Sequence, residues 1–130
     1  MVHLVADTHA IVWRLTAPRK LGRGASRAFD AADEGGRVCL VPAIVLVEVA
    51  LLRERGRVKV GAADLLRALN GRPAYAVLAL DGPQALEFGA LVGVKDPMAR
   101  RVLAAARVAG ARLISSDPVF DRFGVERVWD

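Results

Sequence analysis

Hydrophobic and polar positions along the chain follow two patterns, short continuous apolar runs and longer segments with helical spacing. The apolar runs predict strands at Val2–Ala6, Arg37–Val41, Ala74–Leu80 and Arg112–Ser115, with an edge strand at Val125–Trp129. Between them, helical spacing covers residues 8–15, 25–33, 43–55, 62–69, 83–91 and 96–109, and a breaker-rich loop covers residues 16–20. Strands that alternate with helices predict an α/β fold of three layers, in which helices cover both faces of a mostly parallel sheet of four or five strands.

The third predicted helix, residues 43–55, has apolar side chains on nearly every face. A helix with this pattern is expected to be buried on all sides. Glu48 lies in its middle, and a buried carboxylate is costly unless it is paired or binds a cation. Two interpretations of Glu48 are therefore open, a buried salt bridge with an arginine and a metal ligand.

Two further acids follow predicted strands. Asp7 comes directly after the first strand, and Asp117 follows the strand that ends at Ser115. Because parallel strands end at one edge of the sheet, where open α/β sheets place their sites, we expect these two carboxylates to lie close together. A purely structural interpretation also stands, since aspartate is a preferred N-cap residue.

Asp96 opens the longest predicted helix and precedes Pro97, just as Asp117 precedes Pro118. Aspartate followed by proline is typical of an N-cap and the first helical position. Asp96 is therefore either a cap alone or a further acid of the same site, if its side chain turns inward.

Composition and charge narrow the class of protein. The chain has 130 residues, which suits one domain spanning 1–130, and its single cysteine excludes an internal disulfide. The absence of a secretory pattern or a membrane-length apolar block predicts a cytoplasmic protein with no membrane contact. The net charge of +5 favours a polyanionic partner, nucleic acid first among them.

Carboxylates gathered in one pocket repel each other unless a divalent cation lies among them. Oxygen ligands without a histidine or cysteine cluster suit Mg²⁺ or Mn²⁺. Such an ion can activate water for attack on a phosphodiester, while basic side chains hold the nucleic-acid backbone. The residues therefore predict a metal-dependent nuclease.

Short motifs along the whole chain resemble those of the PIN domain family, in the order and spacing of the VapC-type toxins of toxin–antitoxin pairs. The matching residues are VADTHA at 5–10, VEVALL at 47–52, Asp96-Pro97 with Arg100, LISSD at 113–117, and Phe123-Gly124-Val125 with Trp129. The resemblance implies an endoribonuclease that needs Mg²⁺ or Mn²⁺ and forms a homodimer. It also implies inhibition by a VapB-like antitoxin.

The resemblance assigns catalytic and metal-binding roles to Asp7, Glu48 and Asp117. The remaining family acid is the second aspartate of an Asp-Pro-any-Asp-Arg pattern, and here residues 96–100 read DPMAR, so that position is Ala99. Asp96 is the nearest substitute ligand. Ala99 is expected to impair catalysis, whether it is a natural loss or an introduced change.

Basic and aromatic side chains complete the prediction. The candidates for RNA contact are Lys95, Arg100, Arg101 and Arg122. For Trp13 and Trp129, a place in the core or in a dimer contact is favoured over base stacking. The alternatives to a ribonuclease are a non-catalytic PIN-fold domain that binds RNA or a protein partner, and a response-regulator-like domain, which lacks a well-placed lysine near its last strand.

Overall fold

The computed structural model of the protein describes residues 3–130, so Val2, predicted to begin the first strand, lies outside the described residues. Five strands are present, at Leu4–Ala6 (β1), Cys39–Pro42 (β2), Tyr75–Leu78 (β3), Arg112–Ile114 (β4) and Arg127–Val128 (β5). The helices are Thr8–Thr16 (α1), Arg23–Asp33 (α2), Ala43–Glu54 (α3), Ala62–Asn70 (α4), Gly82–Ala90 (α5) and Pro97–Ala109 (α6). Two 3₁₀ turns, Pro18–Lys20 and Pro118–Arg122, complete the order. In the described range, no helix has the length and apolar character needed to cross a membrane.

The strands form one sheet in the order β3-β2-β1-β4-β5, and every neighbouring pair is parallel. This confirms the predicted parallel α/β fold. The central strand β1 is buried along its whole length, and its successive side chains point to opposite faces, so both faces of the sheet are covered there. The amide of Asp7 still donates to the carbonyl of Ile114, at 3.0 Å, which fixes the ends of β1 and β4 beside each other.

Two predictions about burial are wrong. Helix α3 buries one face, formed by Val45, Val49 and Leu52, whereas Val47 is 51% exposed and Leu51 is 38% exposed. The buried residues recur at helical spacing on one face, so α3 carries more apolar side chains than this chain buries. Strand β3 lies at an edge of the sheet and leaves Ala76 and Val77 exposed, so helices do not cover both faces of every strand.

Several boundaries differ from the prediction by one or two residues, and contacts in the structure account for two of these differences. Helix α1 continues to Thr16, whose hydroxyl donates to the carbonyl of Val12, and a 3₁₀ turn follows where a loop was expected. Helix α2 begins at Arg23, earlier than predicted, because its first turn is completed from far along the chain. The amide of Ala25 donates to the carbonyl of Trp129, at 2.9 Å, and local sequence carries no signal of that bond.

Candidate functional site

A cavity of about 550 Å³ opens at the edge of the sheet where β1 and β4 end. The chain lines it with Asp7, Thr8, His9, Ala10, Glu48, Arg55, Asp96, Met98, Ala99, Ser116 and Asp117. The structure therefore brings all four acids of the sequence analysis, and the alanine among them, to one cavity. The order of the strands explains this arrangement, since Asp7 and Asp117 follow adjacent parallel strands.

Asp7 is held by two hydrogen bonds. Its Oδ1 accepts from the amide of Thr8, at 2.8 Å, which makes it the N-cap of α1, and its Oδ2 accepts from the hydroxyl of Ser115, at 2.7 Å. Burial raises the pKa of the Asp7 carboxyl above its usual value, and the lowering by these bonds and by His9 does not cancel that effect. Asp7 is thus both a cap and a member of the acidic cavity, and a cation would stabilise its ionised form.

Ser115 is a site residue that the sequence analysis missed. Its side chain is 1% exposed, and its Oγ donates to Asp7 and accepts from the amide of Asp117, at 3.1 Å. The carboxylate of Asp117 in turn accepts from the amide of Val119, at 3.0 Å, as predicted for a cap. The available signal was a serine ending an apolar strand two residues before an aspartate. Ser115 joins the two aspartates into one unit.

Asp96 and Ala99 lie at the first turn of α6. The Oδ2 of Asp96 accepts from the amide of Ala99, at 3.0 Å, so the predicted N-cap is present. Asp96 also lines the cavity, and the buried methyl group of Ala99 forms part of the same wall. An aspartate at position 99 would have the cavity in front of it, whereas alanine provides no oxygen there.

Glu48 is half-buried and lines the cavity. In the described range Glu48 belongs to none of the seven ion pairs that the structure shows, which disfavours the salt bridge with an arginine that the sequence had left open. The turn of helix that carries it faces the opening between α1 and α6 instead of the core. Its place in the cavity wall is compatible with a ligand role, which stays a prediction.

The fit of a divalent cation can be tested on the cavity itself. In the described part of the chain, no group of three or more acidic, histidine or cysteine side chains stands close enough to hold a metal ion. Mg²⁺, however, is usually held by one or two carboxylates and several waters. The buried hydroxyl of Thr8, which lines the cavity, has no hydrogen-bond partner in residues 3–130, as expected of a group that meets a hydrated ion. Carboxylate and hydroxyl oxygens of this kind are ligands that Mg²⁺ or Mn²⁺ accepts when water completes the shell.

The basic side chains proposed for RNA contact differ in how they are engaged. The Nε of Arg100 donates to the carbonyl of Phe88, at 2.7 Å, and its guanidinium lies 4.2 Å from the centre of the Phe88 ring, so it ties α6 to α5. Arg101 lies 6.0 Å from the same ring. Lys95 and Arg122 are exposed. Lys95 and Arg122 thus remain the freer candidates.

Comparison with known proteins agrees with this architecture. The family model described as PIN domain matches residues 4–126. No curated protein matches the chain in sequence.

Similar solved structures come from toxin–antitoxin complexes and toxins. A chain of VapBC2 from Rickettsia felis, bound to a DNA fragment from its promoter, is 13% identical with a TM-score of 0.71, and the match covers 100% of both chains. DNA-bound VapBC from Salmonella typhimurium is 14% identical with a TM-score of 0.69, over 98% of this chain and 97% of that one. VapC20 from Mycobacterium tuberculosis, described as a toxin that cleaves the sarcin-ricin loop, is 19% identical with a TM-score of 0.64, over 94% of this chain and 95% of that one. At these identities the likeness shows the fold.

Proposed function

Because the chain belongs to the PIN domain family, we propose that it is a metal-dependent endoribonuclease of the VapC type, the toxin of a toxin–antitoxin pair, with activity reduced by Ala99. The observation that carries this proposal is the single cavity lined by Asp7, Glu48, Asp96 and Asp117. The neighbouring structures support the class, since one of them is described as a toxin that cleaves the sarcin-ricin loop.

The residues of the cavity would divide the work as follows. A bound Mg²⁺ or Mn²⁺ supplies a polarised water and neutralises charge on the phosphodiester. Asp7 and Asp117 would be two of the residues that hold the ion, and Ser115 fixes their position relative to each other. Glu48 faces them from α3, and Asp96 reaches the rim while it caps α6.

Ala99 weakens this arrangement in a definite way. Without a carboxylate at position 99, fewer side chains would hold the ion, and since Mg²⁺ tolerates water ligands we expect binding to weaken rather than disappear. Catalysis suffers more, because a small displacement of the attacking water or the phosphate costs about a hundredfold per ångström.

The proposal extends to partners and location. We infer that residues 1–130 form a single PIN-like domain that works in the cytoplasm as a homodimer and is inhibited by a VapB-like antitoxin. The exposed Val47 and Leu51 on α3 support a protein contact, because solvent-exposed apolar side chains on one helix face are typical of an interface. The antitoxin complexes among the structural neighbours support the second partner.

A second function is favoured by two observations. The described acids do not form a group that would hold a metal ion unaided, and position 99 is alanine. Both fit a PIN-fold domain that binds RNA or a protein partner without cutting RNA.

One substitution separates the two functions. We expect Ala99→Asp to raise cleavage of total RNA in Mg²⁺ or Mn²⁺ by at least about tenfold, since groups that orient a metal site contribute 10–100-fold to affinity or activity. Ala99→Asn is the matched control, because it has the same size without the charge. Adding Asp7→Asn to Ala99→Asp should abolish the gain.

The outcomes are distinct. Equal cleavage by the alanine and aspartate forms would show that position 99 is not catalytic. No cleavage by either form, with Mn²⁺ binding to the Ala99→Asp form measured by calorimetry, would favour the non-catalytic function.

A further inference from the structure

A row of aromatic side chains runs away from the cavity along α1. His9 is exposed and lines the cavity, and Trp13 follows one helical turn later with its ring centre 5.6 Å from that of His9. Trp129 continues the row, 5.9 Å beyond Trp13. Both tryptophans are half-buried, so each packs against the core and still presents part of its ring to solvent. The sequence analysis placed these tryptophans in the core or a dimer contact; neither lines the acidic cavity itself, and the row reaches that cavity through His9.

A basic segment flanks this aromatic row. It comprises Arg55, Arg57 and Lys59, between α3 and α4. The intervening Val58 and Val60 are half-buried against the core, while Arg57 and Lys59 are exposed. Because valines and basic residues alternate, packing of the valines holds the backbone in place while the basic side chains face solvent.

The basic segment connects the acidic cavity with a second one. Arg55 lines the acidic cavity, whereas Arg57 and Lys59 line a second cavity of about 210 Å³. Trp13 and Lys20 line that second cavity too, and the Lys20 ammonium lies 5.8 Å from the centre of the Trp13 ring. The walls of the second cavity contain no acidic residue in the described range.

These cations form no ion pair within residues 3–130, although Arg55 lines the same cavity as the four acids. Neither Lys20 nor any member of the basic segment forms an ion pair there, although Arg14, Arg107 and Arg127 all pair with carboxylates elsewhere. Like charges gathered without ion-pair partners repel each other, and a bound polyanion relieves that repulsion. The basic segment and the aromatic row together therefore suit a ligand that is anionic and can also contact flat aromatic rings.

We propose that the aromatic row and the basic segment form a path for single-stranded RNA that continues from the acidic cavity. Unpaired bases stack on His9 and Trp13, and the backbone phosphates meet Arg57, Lys59 and Lys20. Single strands are bound by this combination of stacking rings and a positive groove, whereas paired bases cannot reach the rings. The proposal rests on the proposed function for its ligand class, and it assigns the path by which the strand reaches the cavity.

The direct test uses Trp13 as a reporter. The chain has two tryptophans, so Trp129→Phe leaves Trp13 alone. In EDTA, which prevents cleavage, we expect a 12-nucleotide oligouridine to quench Trp13 fluorescence, and an RNA duplex of equal length to leave it unchanged. Absence of quenching by the oligouridine would overturn the stacking step.

Charge and ring variants test the rest of the path by fluorescence anisotropy of the labelled oligouridine. Affinity falls as salt rises, and Lys59→Glu should make this dependence shallower. The slope of log affinity against log salt concentration should shrink in magnitude by about 0.7, the value of one phosphate contact in a single strand. Arg72→Glu is the matched control. Arg72 is exposed and comes just before β3, so it lies at the edge of the sheet where strands begin, whereas the acidic cavity lies at the edge where they end. His9→Ala should weaken binding by at least about fivefold, since one stacked base contributes that much.

The remaining outcomes are decisive. Equal loss of affinity in Lys59→Glu and Arg72→Glu would reduce the effect to overall charge and overturn the path. Unchanged oligouridine affinity in Lys59→Glu, together with lost binding of a polyglutamate peptide, would assign the surface to an acidic protein segment and also overturn it. If Ala99→Asp cuts no RNA but Lys59→Glu still loses oligouridine affinity, the proposed function fails while the path stands.

Discussion

The hydroxyl of Ser115 offers a sharp test of how the site is held together. Ser115→Ala removes the donor to Asp7 and the acceptor for the amide of Asp117, and it leaves both groups where they are. The exchange of serine for alanine adds no bulk to a side chain that is fully buried. Any loss of stability therefore reports the two hydrogen bonds.

The magnitude follows from what each bond joins. A hydrogen bond to a charged group contributes about 1.5–3 kcal/mol and a neutral one about 0.5–1.5 kcal/mol, so the variant should lose about 2–4.5 kcal/mol of unfolding free energy. With an unfolding entropy of about 2.1 cal/mol/K per residue, that loss lowers the Tm of a chain of 130 residues by roughly 7–16 °C.

Urea unfolding followed by circular dichroism measures this loss. Ser116→Ala is the matched control, because Ser116 is exposed and makes no hydrogen bond within the described residues. The loss should also depend on pH. Ser115 lowers the pKa of Asp7, so removing it raises that pKa further, and the gap to the unaltered chain should narrow as the pH falls and Asp7 becomes protonated. A free energy within about 0.5 kcal/mol of Ser116→Ala at neutral pH would refute the reasoning, since surface changes fall in that range.

Two further predictions concern the acids of the cavity. Asp7→Asn should raise the Tm at neutral pH. Burial raises the pKa of Asp7 in the folded protein above 3.8, so ionisation of Asp7 destabilises the folded protein, and this loss of stability develops as the pH rises from 3.8 through the folded pKa. In thermal melts the gain in Tm should vanish at acid pH, and Mg²⁺ should raise the Tm of the unaltered chain more than that of Asp7→Asn. An unchanged or lower Tm of Asp7→Asn at neutral pH would contradict this prediction. Asp96→Ala should cost about 1 kcal/mol in urea unfolding and Asp96→Ser only a few tenths, because serine also caps a helix; equal losses would show that the cap contributes nothing.

Local signals were enough to predict the sheet. The apolar run before Asp7 and the one before Asp117 both form parallel strands, and the rule that such strands end at one edge placed the two aspartates in one cavity. The helix caps were equally predictable, because a capping hydrogen bond joins residues at most three positions apart, as for Asp96.

What the sequence could not predict depends on partners distant along the chain. The apolar composition of α3 shows that it is hydrophobic but not which face this chain covers, so the exposure of Val47 was missed. Arginine next to a cavity looks suited to phosphate, yet Arg100 is engaged by the carbonyl of Phe88 on another helix. The bond between Asp7 and Ser115 joins residues 108 positions apart, beyond the reach of any local pattern.

The separation between Asp7 and Ser115 has a consequence for synthesis of the chain on the ribosome. The strand β1 is made first, but β4, which borders it on the Ser115 side, follows more than a hundred residues later, a wait of about 5–20 s at the usual pace of translation. Until then Asp7 has neither its serine nor its second aspartate beside it. A nascent chain released before residue 112 therefore lacks Ser116 and Asp117 of the cavity and the serine that holds Asp7, so an interrupted round of translation yields no protein with a complete set of acids.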